Sequence, residues 1–223
     1  MSVLHLYDKL LQTPLFLGMS KDDLNQIVEH TKFGFLKFEQ GKTIIREGEK
    51  CEHVYYLTNG CIVISKSSDD HSYTISEEIH APYMFQLECL FGLTQQSSYN
   101  INSITACNMI SIDKDELMKL SDNYMIFKIN ILNLLSAKIQ KLSRNPWRRQ
   151  PDNIRNLIIK FIVERCQYPA GKKKLDIHME TLAKELNDGR LNVSKELNRM
   201  SDEGLIILHR GGFVIPALER LLM

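Results

Sequence analysis

The spacing of hydrophobic and polar positions changes twice along the chain. Near the start, apolar residues recur at helical intervals and predict two short helices, residues 4–11 and 21–30, with Ser20 as the N-cap of the second. Residues 33–112 instead contain short apolar runs separated by turn residues, which predict β-strands: GFLKF, KTIIRE, HVYYLTNG, CIVISKS, YTISEEI and the runs around residues 101–112. Many short strands in one stretch predict an antiparallel sandwich or jelly roll.

Four glycines punctuate the predicted strands. Gly34, Gly41, Gly48 and Gly60 sit at or beside the turns between them. Because glycine adopts positive φ angles without steric cost, we expect these residues to supply left-handed turn conformations.

Residues 124–143 predict one long helix with two apolar faces. Phe127, Ile131 and Leu134 share one face. The other face alternates steps of three and four residues, as a coiled-coil seam does, with one interruption at Lys128. The apolar members of this seam are Met125, Leu132, Leu135, Ile139 and Leu142. Such a helix can pack on its own domain with one face and on a second copy with the other, which predicts a two-fold homodimer. A core helix buried in a monomer is the alternative.

Residues 179–215 predict two helices, a glycine stop and a two-stranded wing. The first helix, residues 179–186, is followed by the turn residues Asn-Asp-Gly and by a second helix, residues 190–203, whose apolar side chains share one face. Gly204 fits a left-handed helix end, and strands are expected at residues 205–208 and 213–215. This order is typical of a DNA-binding winged helix-turn-helix, although an ordinary amphipathic helix pair followed by a hairpin gives the same coarse pattern.

The segment RNPWRRQPDN, residues 144–153, lies between the long helix and the C-terminal region. Its two prolines and three arginines predict a hinge between domains. Arg148 and Arg149 are candidates for phosphate contacts, with solvated linker charges as the alternative. The predicted domains are residues 1–120 as a sensor, residues 121–146 as the dimerisation helix and hinge, and residues 147–223 as the DNA-binding domain.

The net charge of +1 hides a division between the two halves of the chain. Residues 1–113 carry 8 Lys or Arg against 14 Asp or Glu, a balance of −6, whereas residues 114–223 carry 20 against 13, a balance of +7. Because a basic surface attracts phosphate backbones at long range, the asymmetry favours a nucleic-acid partner for the C-terminal half.

The cysteine pattern and the hydropathy indicate a cytoplasmic protein. The sequence contains five cysteines, at positions 51, 61, 89, 107 and 166, and no CxxC pair. Neither a disulfide framework nor a zinc site is indicated, and we expect reduced, mostly buried thiols. Asp8 and Lys9 interrupt the first apolar stretch, and no later stretch is long enough to cross a bilayer, so no membrane partner is expected.

The stretch FEQGKTIIREGEKCEHVYYLTNGCIVIS, residues 38–65, resembles the start of the cyclic-nucleotide-binding β-roll of the Crp/Fnr superfamily of bacterial transcription regulators. Gly41, Gly48 and Gly60 fall at the family's spacing, and the predicted elements follow the family's order. The resemblance implies an α+β fold: an N-terminal antiparallel, jelly-roll-like β-roll, a long dimerisation helix and a C-terminal winged helix-turn-helix. It also implies a homodimer without catalytic activity that binds palindromic double-stranded DNA and works with RNA polymerase.

The candidate effector pocket departs from the family pattern. Members that bind cyclic nucleotides carry a Gly-Glu pair and, about ten residues later, an Arg followed by Ser or Thr. The resemblance places Glu88 at the ribose-binding position, with Leu87 instead of the Gly and Ser97 instead of the Arg; Cys89 and Ser98 complete the pocket. No Lys or Arg occurs within residues 85–107. Because a charge-assisted hydrogen bond contributes roughly 1.5–3 kcal/mol, about one to two decades of affinity, we expect cyclic AMP to bind weakly.

The sequence assigns neither an effector nor a cofactor. The family's oxygen sensors hold an iron-sulfur cluster through N-terminal cysteines, yet no cysteine precedes Cys51. Haem-binding members need an axial ligand, and isolated histidines such as His53, His71 and His80 do not indicate one.

The resemblance also assigns DNA contacts to the second helix of the C-terminal domain. Arg190, Leu191 and Lys195 match the three positions that contact base edges in well-studied members. Arg190 and Lys195 keep donors suited to guanine, whereas Leu191 replaces an acidic residue that accepts a hydrogen bond from cytosine, so a different half-site is expected. Further candidate contacts to bases or phosphates are Asn192, Ser194, Arg199 and Arg210.

Two other classes of protein fit parts of the pattern. A ligand-sensing adaptor would use its helix-turn-helix to contact protein instead of DNA. A cupin-like metal enzyme would need clustered His and carboxylate ligands, and residues 33–112 contain no His-x-His pair. The sequence therefore predicts a DNA-binding transcription regulator.

Overall fold

The computed structural model describes residues 3–144, 147 and 151–222, which fall into two compact units. The N-terminal unit holds the described residues of 1–62, 80–98 and 102–146, and the C-terminal unit holds those of 63–79, 99–101 and 147–223. Both units contain helices and antiparallel β-strands, so the predicted α+β class is confirmed.

Two helices precede the strands of the N-terminal half and two follow them. The helices are α1 (Val3–Leu11), α2 (Lys21–His30), α3 (Lys114–Asn123) and α4 (Met125–Arg144). The strands are β1 (Phe33–Phe38), β2 (Thr43–Ile45), β3 (His53–Asn59), β4 (Cys61–Ser67), β5 (Tyr73–His80), β6 (Tyr83–Phe85), β7 (Asn100–Ser103) and β8 (Cys107–Asp113). Strands β1, β8, β3 and β6 form an antiparallel sheet in that order. The predicted switch from helix to strand near residue 33 is therefore present.

Local signals in the sequence act as expected, with one exception. Ser20 caps α2, because its Oγ accepts a hydrogen bond from the Asp23 amide at 3.1 Å. Gly41, Gly48 and Gly60 adopt positive φ angles. The expectation of a left-handed turn at Gly34 is wrong. This residue lies within β1, where a Cβ would come 2.2 Å from Ser111 Oγ on the paired strand β8, so the glycine permits close strand approach.

The long helix α4 packs against the rest of the N-terminal unit through one of its two predicted apolar faces, the face that contains Phe127 and Ile131. Phe127 and Ile131 are buried, and the Phe127 ring lies 5.1 Å from that of Phe16 between centroids. The Asn130 side chain donates to the carbonyl oxygens of Leu15 at 3.0 Å and Leu17 at 2.9 Å. Apolar burial and two hydrogen bonds to main-chain carbonyls therefore hold α4 against the segment between α1 and α2.

The C-terminal unit is built around a sheet that includes the wing. Its elements from the second half of the chain are α5 (Ile154–Arg165), β9 (Lys173–Ile177), α6 (Met179–Leu186), α7 (Arg190–Asp202), β10 (Ile207–His209) and β11 (Gly212–Ile215). Strand β11 pairs with β10 and β9, and β9 pairs with β5 from Tyr73 opposite Ile177 to Glu77 opposite Lys173. Strand β5 thus belongs to the same sheet as the wing, a grouping that the sequence pattern does not indicate.

The wing begins later than predicted, at Ile207 instead of residue 205. Gly204, at φ +70°, donates its amide to Ser201 O at 2.9 Å, and the Leu205 amide donates to Met200 O at 3.0 Å. These two bonds satisfy the last carbonyls of α7, as the predicted glycine stop requires. The Leu205 amide is therefore committed to the helix end and is not available for a strand.

A buried ion pair joins β5 to β9. Lys173 Nζ lies 2.9 Å from Glu77 Oε2, and the two side chains are 0% and 4% exposed. The Glu77 carboxylate also accepts hydrogen bonds from the amides of Gln167 at 2.7 Å and Tyr168 at 3.0 Å. Buried charges are tolerated only when they are paired and hydrogen-bonded, so these four groups hold one another in place.

Candidate nucleic-acid interface and effector pocket

A three-residue turn sets the start of α7, the candidate recognition helix. Asn187 adopts a left-handed φ of +52° and donates its amide to Lys184 O at 3.1 Å, which ends α6. Asp188 Oδ1 then accepts hydrogen bonds from the Gly189 amide at 2.6 Å and from Asn192 Nδ2 at 2.9 Å. The turn therefore closes one helix and orients the first turn of the next, as its Asn-Asp-Gly composition predicts.

One face of α7 is anchored in the C-terminal unit. Its buried residues are Val193, Leu197 and Met200. Arg155 of α5 donates from Nε to Glu196 Oε1 at 2.5 Å, and from its two terminal nitrogens to the Glu203 carboxylate at 2.8 Å and 2.7 Å. This bidentate hydrogen bonding lowers the pKa of Glu203. Arg155 thus positions α7, a role missed in the sequence because its partners are 41 and 48 residues away.

The three predicted base-contacting residues of α7 are all exposed: Arg190, Leu191 and Lys195. Arg190 Nη1 lies 3.1 Å from Glu180 Oε1 of α6, and these two side chains are 65% and 77% exposed. Because exposed ion pairs contribute little to stability, Arg190 can exchange this carboxylate for a phosphate or a guanine edge.

The other predicted contacts on α7 already have partners at the surface. Asn192 donates to Asp188, and the Ser194 carbonyl accepts from Asn198 Nδ2 at 2.9 Å. Arg199 Nε lies 3.4 Å from Glu203 Oε1. Water or a phosphate can replace such exposed bonds, so the side chains of Asn192 and Arg199 stay accessible to a nucleic acid. Ser194 is half-buried, and the bond from Asn198 involves only its main-chain carbonyl.

Arg210 lies at the tip of the wing. It is exposed and precedes Gly211, whose φ of +86° forms the turn between His209 and Gly212. Gly212 serves a different purpose, because a Cβ there would come 1.9 Å from the Leu175 carbonyl oxygen on β9. The predicted wing with its arginine-glycine tip is therefore formed.

A cleft of about 410 Å³ lies between the wing and the two helices of the helix-turn-helix. Its polar lining residues are His178, Glu180, Arg190 and His209. Leu182 of α6, Leu197 of α7 and Phe213 of β11 contribute apolar lining. Helix α7 and the wing thus border one concave surface.

The carboxylate of the candidate effector pocket is paired with α4. Glu88 Oε1 lies 2.5 Å from Lys138 Nζ, and the two side chains are 28% and 43% exposed. Glu88 belongs to a 3₁₀ turn whose neighbours, Leu87 and Cys89, are buried. The group expected to accept hydrogen bonds from a ribose is therefore already neutralised within the N-terminal unit. The role of Lys138 was missed because nothing in the sequence links it to Glu88.

A buried thiol lies beside this turn. Burial raises the pKa of Cys51 to about 12, and neighbouring Cys89 and Glu88 add to the rise. The thiol therefore stays protonated at neutral pH and is a poor nucleophile. All five cysteines are buried and unbridged, as the sequence predicts.

The two serines that the resemblance aligns with the family's Arg-Ser pair differ in exposure. Ser97 is 3% exposed, and its backbone is closed onto a turn: its amide donates to Glu49 O at 2.9 Å and its carbonyl accepts from the Gly48 amide at 2.8 Å. Ser98 is exposed. The position where the resemblance expects a phosphate-binding cation therefore carries a small, buried residue.

The predicted dimer seam of α4 is mostly exposed. Four of its members are more than half exposed: Met125, Leu132, Ile139 and Leu142. Leu135 instead packs against the core of the N-terminal unit. Ile129 is exposed as well, and its position four residues after Met125 and three before Leu132 is the seam spacing that could have identified it.

Three further expectations concern groups or segments outside these sites. Within the described residues, no group of three or more His, Cys, Asp or Glu side chains could hold a metal ion. None of the helices in this same part of the chain combines the length and the apolar character that a membrane span needs. The hinge arginines, Arg148 and Arg149, lie outside the described residues.

Comparison with known proteins finds a family likeness in the N-terminal half of the chain. Residues 35–124 match the cyclic nucleotide-binding domain family. The match contains Glu88 and Ser97 of the candidate effector pocket, whereas α7 lies outside it. No curated protein is significantly similar to the chain in sequence.

Two solved structures share the fold. The crystal structure of the Thermus thermophilus catabolite activator protein is 16% identical, covers 94% of this chain and 97% of that one, and has a TM-score of 0.51. The crystal structure of the sensor domain of the transcriptional regulator DNR from Pseudomonas aeruginosa is 19% identical, covers 68% of this chain and 98% of that one, and has a TM-score of 0.53. At these identities the likeness shows the fold, and this fold is the one that the resemblance implies.

Proposed function

We propose that this protein is a DNA-binding transcription regulator of the Crp/Fnr type without catalytic activity. The observation that carries the proposal is the exposure of Arg190 and Lys195 on α7, at positions that the resemblance assigns to base contacts. The buried stripe on the other side of α7 supplies the packing, so these charges are not needed for the core. The balance of +7 in residues 114–223 adds long-range attraction for phosphates. The regulators that share the fold support the same role.

The exposed seam of α4 supports a homodimer. Four large apolar side chains on one helix face are costly to leave in water, and a two-fold partner helix would cover them. Two copies of α7 would then enter successive major grooves about 34 Å apart and bind a palindrome. Contact between the bound dimer and RNA polymerase would link site binding to transcription.

The effector segment supports regulation that does not depend on cyclic AMP. Lys138 holds Glu88, and Ser97 offers no cation to a cyclic phosphate. A ligand with that phosphate would lack a charge-assisted bond that contributes roughly 1.5–3 kcal/mol. The segment is therefore poorly suited to cyclic AMP, whatever other ligand it accepts.

The test is selection of duplexes from fragmented DNA by the purified full chain, with and without cyclic AMP. We expect the same palindromic motif in both arms. A variant with Arg190→Ala and Lys195→Ala is the control and should enrich no motif. Enrichment only with cyclic AMP would overturn the proposed independence from that nucleotide. No motif in either arm would contradict DNA binding and favour an adaptor whose α7 contacts protein.

A further inference from the structure

An apolar side chain occupies the centre of the exposed face of α7. At 3.6 residues per turn, Leu191, Ser194, Lys195 and Asn198 share one face, opposite Val193, Leu197 and Met200. Leu191 is 76% exposed and lies outside the hydrophobic core cluster of the C-terminal unit. The leucine therefore adds little to the stability of the fold, and its neighbours on this face are polar.

Leu191 also lies where a recognition helix touches bases. It is the second residue of α7, and the N-terminal residues of such helices contact base edges in the major groove. Leucine has no hydrogen-bond donor or acceptor, so it can distinguish bases only by apolar contact. The major groove presents one apolar group for this purpose, the 5-methyl group of thymine.

We propose that Leu191 contacts the 5-methyl group of thymine and selects a T·A base pair in each half-site. This inference rests on the proposed function and adds one base to its site. Arg190 and Lys195 would select the base pairs to which they donate hydrogen bonds. Leu191 disfavours cytosine, because the amino group of that base would be left without an acceptor. Cytosine carrying a 5-methyl group would regain part of the apolar contact.

The test uses duplexes that differ by one methyl group. In the palindrome recovered by selection, each thymine is replaced in turn, symmetrically in both half-sites, by uracil, which keeps every hydrogen bond and lacks only the methyl. Binding to the wild-type chain is measured by fluorescence anisotropy. Burial of one methyl or methylene group predicts a loss of about fourfold per half-site, or roughly fifteenfold for the pair, at one thymine position.

The variant Leu191→Ala removes the proposed contact without disturbing the core. It should bind the thymine and uracil duplexes equally at that position, whereas Asn198→Ala, on the same face, should keep the wild-type difference. Replacing cytosine by 5-methylcytosine in a C·G version of the site should strengthen binding by the wild type and by Asn198→Ala, but not by Leu191→Ala. Absence of any uracil-sensitive position, or equal sensitivity in Leu191→Ala, would overturn the inference. Failure to select any duplex would instead overturn the proposed function itself.

Discussion

Two carboxylate–cation pairs in the C-terminal unit have the same chemistry and opposite environments. Glu77 and Lys173 are sealed inside the sheet at 2.9 Å, whereas Glu180 and Arg190 meet at 3.1 Å in the open. Removing one member of a buried pair leaves the other charge unpaired in a poorly solvated site. When one member of an exposed pair is removed, water solvates the remaining charge. Burial therefore separates the charges that hold the fold from those that remain available to a partner.

This difference changes how the charge of the C-terminal half is interpreted. Lys173 counts toward its balance of +7, yet Glu77, from the acidic half, neutralises it inside the fold. Arg190 counts equally in the sequence but keeps an exchangeable partner. A net charge is thus an incomplete measure of the surface that a polyanion meets.

The largest expected effect is breaking the buried pair by Glu77→Gln. Lys173 would then lack a counter-charge at a site with no solvent exposure, and the loss of unfolding free energy should be roughly 3–5 kcal/mol. Urea unfolding followed by circular dichroism measures it. The matched control is Glu78→Gln, on the next residue, whose partly exposed carboxylate pairs with Lys172. Similar losses in both variants would show that burial of Glu77 is not what matters.

The second effect is expected from Arg190→Ala, which breaks the exposed pair. Stability should be nearly unchanged, while affinity for the selected palindrome should fall by roughly 1–3 kcal/mol with relaxed preference at one base pair. Fluorescence anisotropy on the palindrome and its single-base variants measures this. Arg220→Ala removes the same charge from an exposed position in the terminal 3₁₀ turn and should keep the base preference. An equal change in both variants would reduce the role of Arg190 to general electrostatics.

A smaller effect is expected at the partly exposed pair of the effector segment. Because Glu88 and Lys138 retain contact with water, Glu88→Gln should change the free energy of unfolding by less than about 1 kcal/mol. Palindrome selection without cyclic AMP should also be unchanged. A double-mutant cycle with Lys138→Gln isolates the coupling between the two side chains. A coupling of several kcal/mol would show that Glu88 and Lys138 stabilise the fold as strongly as the buried pair does, and would contradict this prediction.

The smallest expected effect is a pH dependence of stability that arises from the hydrogen bonds between Arg155 and Glu203. Hydrogen bonds from Arg155 lower the pKa of Glu203, so this carboxylate stabilises the folded state above its unfolded pKa of about 4.3 and loses that contribution as pH falls through its lower folded value. The stability advantage of the wild type over Arg155→Gln should therefore shrink between about pH 5 and pH 3. Urea unfolding across this range measures it, and a constant advantage would contradict the linkage.

Local patterns allowed much of the fold to be predicted. The bounds of α6 follow from its helical spacing and the Asn-Asp-Gly turn, and the end of α7 follows from Gly204. The membership of β5 in the wing sheet could not be predicted, because the pairing of Glu77 with Lys173 joins residues 96 positions apart. Contacts between distant segments leave no local period in the sequence.

The candidate sites also combine features that the sequence predicts with features that it does not. The exposure of Leu191 and Lys195 follows from helical spacing, because the buried stripe determines which face remains outside. The partners Glu180 and Lys138 depend on how separate helices and turns meet, and no spacing rule predicts them. Position on one helix was therefore predictable, whereas the electrostatic partner of each charge was not.

DNA recognition by α7 is tested most directly by the ratio of two affinities, one for the selected palindrome and one for a scrambled duplex. This ratio is measured for the wild type and for the variant carrying Arg190→Ala and Lys195→Ala. We predict that the wild type strongly prefers the palindrome. The variant should bind both duplexes weakly and nearly equally, with unchanged stability. A variant that keeps the wild-type preference would show that the exposed face of α7 is not the DNA interface.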